Sequence, residues 1–172
     1  VDGQGGLTGP HRLIIGIDPG PVPGIASLWV HTAAGIPYWN DVEFGFGQCD
    51  PDTLMDLLDS WTDPFPPDSI ILATETYVIG NRSGKSSAPK ARYATIDLLE
   101  RAKNYADQHG IARVTRPAGI VKPFATNERL DSAGLLAATT GSTHARDASR
   151  HLLYCAVHDC GFPDPFSKKG RQ

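Results

Sequence analysis

Apolar residues in this chain fall into short blocks whose spacing changes from one block to the next. Leu13-Ile-Ile-Gly-Ile17 is an apolar, β-branched run cut off by Asp18-Pro-Gly20, the pattern of a buried strand stopped by a turn. Gly24–Val30 follows closely enough to be its antiparallel hairpin partner, and Ile36–Phe44 predicts a third strand after the loop at Gly35. The spacing then turns helical. Asp50 is an N-cap candidate with Pro51 at the first helical position, and Leu54, Leu57, Leu58 and Trp61 share one face. A Pro-rich break at 63–68 leads into Ser69–Glu75, a second buried strand that ends on a carboxylate. Residues 79–90 read as a polar Gly/Ser loop, followed by a helix from about Lys90 to Gln108 with Gly110 as its stop. Ile111–Thr115 predicts a short strand, 117–136 helical pieces broken by Pro123, and Thr143–Cys160 a long final helix. Antiparallel strands leading into alternating strand and helix define an α/β fold, with a mixed five-stranded sheet whose faces the helices cover.

The 172 residues suit one domain at 12–161, with a Gly-rich flexible leader at 1–11 and a Pro/Gly/Lys basic flexible tail at 162–172. No run approaches the roughly 18 uncharged apolar residues of a membrane span. Three cysteines, Cys49, Cys155 and Cys160, do not make a disulfide framework and point to a reducing, cytoplasmic setting. The net charge of −3, taken as a sum, disfavours a nucleic-acid partner, and its distribution along the chain removes that objection. Residues 1–79 carry one basic and 11 acidic side chains, whereas residues 80–172 carry 15 basic and 8 acidic. A basic surface beside an acidic centre has this signature, as does a scatter of solvated faces.

Three carboxylates stand where metal chemistry needs them. Asp18 and Glu75 end two apolar strands, and if those strands are parallel neighbours both lie at the sheet edge where α/β proteins bind ligands. Asp147 lies on the final helix with His144 one turn earlier on the same face. Oxygen ligands of this kind suit Mg²⁺ or Mn²⁺, and one helical His suits Mn²⁺ or proton transfer. Taken singly, each has a plainer reading: an Asp before Pro-Gly forms turns, a strand-terminal Glu is a solvated end, and His144 and Asp147 answer a helix start. The three together, each in its own local pattern, favour the site.

Ile15-Gly-Ile-Asp-Pro-Gly20, Ala73-Thr-Glu75 and His144-Ala-Arg-Asp-Ala-Ser-Arg-His-Leu-Leu153 resemble the three active-site blocks of the RuvC family of Holliday-junction resolvases, the last block being most similar to phage-encoded and actinobacterial members. The resemblance spans roughly residues 12–161 and implies a ribonuclease H-like fold. It further implies Asp18, Glu75 and Asp147 as metal-binding carboxylates, with His144 in the place of a fourth acidic residue. Two Mg²⁺ or Mn²⁺ ions would then serve hydrolysis of a phosphodiester in branched DNA, above all four-way junctions. Pro23 departs from the family, where Thr is common. Lys122 and Arg129 are similar to basic positions that contact the scissile phosphate region, and a homodimer is expected because a four-way junction has two-fold symmetry.

The basic half has a place in this picture. Arg82, Lys85, Lys90 and Arg92 follow Glu75 closely, where phosphates must lie, and Tyr77 could stack on an unpaired base. Gly80–Ser86 is too short for a P-loop. His144, His151 and His158 recur every seven residues with Cys155 nearby, but no separated Cys pair completes a zinc site. Other readings are a ribonuclease H-like nuclease acting on RNA, as in YqgF-type proteins, and a non-catalytic binder of branched DNA. A sugar-kinase or actin-like ATPase would need a second domain.

Overall fold

The computed structural model describes residues 13–31, 38–76 and 89–170. Its strands are β1 (Leu13–Asp18), β2 (Gly24–Val30), β3 (Val42–Gln48), β4 (Ile70–Glu75) and β5 (Ala112–Arg116). They form one open sheet in the order β3-β2-β1-β4-β5. β1 pairs antiparallel with β2, and β2 with β3, while β1, β4 and β5 run parallel. The helices are α1 (Pro51–Thr62), α2 (Pro89–His109), α3 (Ala118–Phe124), α4 (Asn127–Ser132), α5 (Leu135–Ala138) and α6 (Thr143–His158), with a 3₁₀ turn at Pro67–Ser69. The predicted α/β class, a mixed five-stranded sheet of three antiparallel strands followed by parallel ones, therefore agrees with the fold.

The alternation of each central strand feeds two cores. Leu13, Ile15, Ile17, Ile25, Ile70 and Leu72 point to one face and pack under α1 and α2 through Leu54, Leu58, Leu98 and Ala102. Ile14, Ala26, Leu28, Ile71 and Ala73 point to the other, where Ala148, Leu152, Leu153 and Ala156 of α6 meet them. Leu98, Ala102 and Ala106 of α2 are fully buried in the first of these cores. Asp50 caps α1 as its position predicts, accepting from the Asp52 and Thr53 amides at 3.0 Å.

Two expectations change. The third strand begins at Val42, six residues later than the hydrophobic pattern suggests, and it runs through Gly45 and Gly47. Gly45 marks a close approach: a Cβ there would lie 2.6 Å from the Ser27 hydroxyl and 3.2 Å from the Trp61 ring. Residues 162–170 also differ from the loose tail their composition suggests. Phe162 is buried, its ring 4.9 Å from Trp39, and Trp39 Nε1 donates to the Pro163 carbonyl at 2.9 Å. Arg129 then clamps Asp164 through Nε at 3.0 Å and Nη2 at 3.2 Å. The leader at 1–11 and the last two residues lie outside the described residues. Among the described residues, no helix is long and apolar enough to cross a membrane.

Candidate active site

Asp18 and Glu75 end β1 and β4, whose register pairs Ile17 with Thr74. One step on, the two carboxylates stand side by side at the carboxyl edge of the sheet. Side chains alternate along a strand, so Asp18 shares its face with Ile14 and Gly16, and Glu75 shares its own with Ile71 and Ala73. That is one and the same face, the one α6 covers.

α6 brings the other two predicted residues to this edge. The helix can lie directly on the sheet because Gly16 and Gly24 carry no side chain. A Cβ on Gly16 would lie 2.2 Å from the Ala148 carbonyl oxygen, and one on Gly24 would lie 2.0 Å from that of His144. Seated there, His144 donates from Nδ1 to Asp18 Oδ2 at 2.8 Å. Asp147, one turn further along, accepts from Lys122 Nζ of α3 at 2.9 Å through Oδ2 and from Arg150 Nε at 3.0 Å through Oδ1. Arg150 is anchored in turn by the Ala125 carbonyl and by Asn127 Oδ1.

The electrostatics are those of crowded negative charge. Burial raises the Asp18 carboxyl above its ordinary range; the His144 hydrogen bond pulls it back, and the field of Asp147 raises it again. Glu75 is raised by burial first and by Asp18 next, with Lys122 acting in opposition. Lys122 therefore faces all three carboxylates and stands as their shared counter-cation. Among the described residues, no three carboxylate, imidazole or thiol groups are gathered closely enough to hold a metal ion as they stand. The donor set itself, three carboxylates and one imidazole, fits a hard divalent cation. Both Asp147 oxygens are engaged, by Lys122 and by Arg150.

The remaining predicted residues divide. Tyr77, Arg82 and Lys85 lie outside the described residues, as does the side chain of Lys90. Arg92 lies on α2, half-buried, its Nε enclosed and without a hydrogen-bond partner among the described residues. Arg129 is turned inward to Asp164 and the Phe124 carbonyl, its guanidinium stacked 4.3 Å from the Phe124 ring centroid and 4.5 Å from that of Phe166. It serves the packing of residues 162–170. The three helical histidines do not gather: His151 is buried within the core, and His158 stacks on Tyr154 with centroids 4.2 Å apart. Cys155 lies 3.9 Å from Cys160, and all three thiols are free.

Sequence reasoning missed two contributors. Arg150 was legible in principle, since it follows Asp147 at the i+3 spacing of helical ion pairs. Gln48 was not. It ends the edge strand β3 and contacts α6 across 96 positions of chain, and no local spacing announces such a contact.

This arrangement of sheet and helices is a RuvC-like, ribonuclease H-like fold. The chain is similar to Thermus thermophilus RuvC in complex with a Holliday junction substrate, with a TM-score of 0.58 at 15% identity over 87% of this chain and 98% of that one. A second Thermus thermophilus RuvC structure matches with a TM-score of 0.54, again at 15% identity, over 84% and 93% of the two chains. No family model matches the sequence, and no curated protein matches it. The likeness is therefore one of fold.

Proposed function

We propose that this protein is a metal-dependent endonuclease that cuts branched DNA, with four-way junctions as its substrate. The observation that carries this reading is the convergence of Asp18, Glu75, His144, Asp147 and Lys122 at one sheet edge, on one face, in a RuvC-like fold. Asp18, Glu75 and Asp147, with His144, would hold Mg²⁺ or Mn²⁺, in keeping with their oxygen-rich donor set. A divalent ion bound there supplies a more acidic water and neutralises charge on the phosphoryl oxygens.

The chain's own residues supply the rest. Gly16 and Gly24 let α6 set His144 and Asp147 against the strands. His144, hydrogen-bonded to Asp18 through Nδ1, keeps its Nε2 for a ligand or a proton. Lys122 offsets the carboxylate charge before substrate arrives and would be available to a scissile phosphate. Arg82, Lys85, Lys90 and Arg92, which follow Glu75 in the chain, would add phosphate contacts, and Tyr77 would be a candidate to stack on an unpaired base. A homodimer would present two such sites to a two-fold symmetric junction.

A panel of synthetic substrates tests the proposal. With Mg²⁺ or Mn²⁺ present, a four-way junction should be cut well ahead of linear duplex, flap and RNA strands, leaving a 3′-hydroxyl and a 5′-phosphate. Cleavage confined to RNA would transfer the reading to a YqgF-like RNA nuclease. Binding of the junction without cleavage in either metal would leave a branched-DNA binder.

A further inference from the structure

We infer that Gln48 is a positioning residue that fixes His144 against Asp18. The inference deepens the nuclease reading, because His144 matters to chemistry only if that reading holds, but its geometry stands independently. Gln48 pairs with Gly24 across β3 and β2, and Gly24 pairs with Asp18 across β2 and β1. Residues paired in this way lie on one face, so Gln48, Gly24 and Asp18 make a transverse row under the first turn of α6.

Each member of the row meets the same stretch of helix. Gly24 lies under the backbone carbonyl of His144, where any side chain would collide. Asp18 accepts the imidazole Nδ1–H at 2.8 Å. Gln48 Oε1 accepts the His144 backbone N–H at 3.3 Å and the Ser142 hydroxyl at 2.9 Å. This last pair of contacts is unusual in its origin. The first amides of a helix lack intrahelical acceptors, and the N-cap side chain ordinarily supplies one. Here Ser142 occupies the N-cap position and makes no side-chain bond to the helix amides. Its hydroxyl is donated to Gln48, and the cap comes from a different element of the fold. His144 is thereby held at three points: its amide by Gln48, its carbonyl by the bare surface of Gly24, and its ring by Asp18. Without the first, the opening turn of α6 is free to fray, and the imidazole leaves its carboxylate.

Two substitutions at this exposed position separate the acceptor from mere bulk. Gln48→Met keeps the length and removes the acceptor; Gln48→Glu keeps an acceptor and adds charge favourable to a helix N-terminus. In metal-free protein, Gln48→Met should raise the hydrogen-exchange rate of the His144 amide about fivefold to tenfold, the loss expected for a missing cap, while amides in the last turns of α6 keep their rates. The ¹⁵N signals of the His144 ring should move from a fixed Nδ1–H tautomer towards an averaged pair. Gln48→Glu should restore both readouts. In junction cleavage, Gln48→Met should lower kcat with KM unchanged, the pattern of an interaction that positions a reacting group and does not bind substrate. Wild-type exchange and ring signals in Gln48→Met overturn the positioning role whatever the activity, and so does a Gln48→Glu protein that behaves like Gln48→Met. If the His144 signals respond as stated but wild-type protein cuts no junction, the positioning role stands and the nuclease reading fails.

Discussion

Adding one methyl group at Gly24 should separate α6 from its sheet. A Cβ there lies 2.0 Å from the His144 carbonyl oxygen, 2.1 Å from its carbonyl carbon and 2.6 Å from the Ala145 nitrogen. All three are backbone atoms, so no side chain can swing away to make room. A C···O contact of about 3.3 Å is the closest that comfortable packing allows, which asks the first turn of α6 to retreat by about 1.3 Å. The His144 to Asp18 hydrogen bond, 2.8 Å long, does not survive such a shift. Overpacking of this kind costs about 1–3 kcal/mol. For a chain of this size that lowers Tm by about 2–4 °C per kcal/mol. A misplacement of about 1 Å at reacting groups can cost about a hundredfold in rate, so activity should fall further than stability. Thermal unfolding by circular dichroism and junction cleavage measure the two effects. Gly119→Ala is the control: nothing lies within 4 Å of a Cβ at this helical position, and the change should stabilise by about 0.5–1 kcal/mol. A Gly24→Ala protein with the wild-type Tm and an intact His144 to Asp18 contact would refute the docking of α6 on bare strand backbone.

Further predictions follow from single contacts. His151 is buried, and burial depresses its folded pKa to about 4 from an ordinary 6.5. Both states are neutral above pH 6.5; as the pH falls from there towards about 4, the unfolded chain takes up a proton that the folded chain does not, so stability declines by up to about 3 kcal/mol. Denaturant unfolding across that window should show the decline, and His151→Met should flatten it; an unchanged slope would contradict it. Lys122→Met removes the cation facing all three carboxylates, so calorimetric titration of DNA-free protein should show Mn²⁺ binding severalfold tighter while cleavage falls; weaker binding would contradict the counter-cation role. Arg129→Met breaks a part-buried pair with Asp164 and should cost about 1–3 kcal/mol in unfolding experiments. Because that guanidinium is turned inward, junction affinity at fixed salt should stay the same, and a large loss of affinity would return Arg129 to the DNA surface.

The sequence was most informative where chemistry and local periodicity coincide. Asp18 and Glu75 each close an apolar strand, so their shared edge follows as soon as those strands are parallel neighbours, and their common face follows from alternation. His144 and Asp147 are joined by helical spacing alone. Lys122 was suggested by resemblance, with no local pattern to place it beside Asp147. Contacts between distant elements left no trace of that kind. The Gln48 cap on α6, the seat of His144 on Gly24 and the Arg129 clamp on Asp164 depend on how closely layers pack, which no spacing within one element encodes. Gly45 and Gly47 belong with these contacts, since β3 uses them to admit the Trp61 and Leu57 side chains of α1.

Asp18, Glu75, Asp147 and His144 are proposed to form a metal-dependent cutting site for branched DNA. Cleavage of a synthetic four-way junction by wild-type protein and by Asp18→Asn, with and without Mn²⁺, tests that proposal most directly. The predicted result is metal-dependent cutting by the wild type and its loss, with junction binding retained, in Asp18→Asn. Equal cutting by both proteins, or cutting by the wild type in the presence of a chelator, would contradict it.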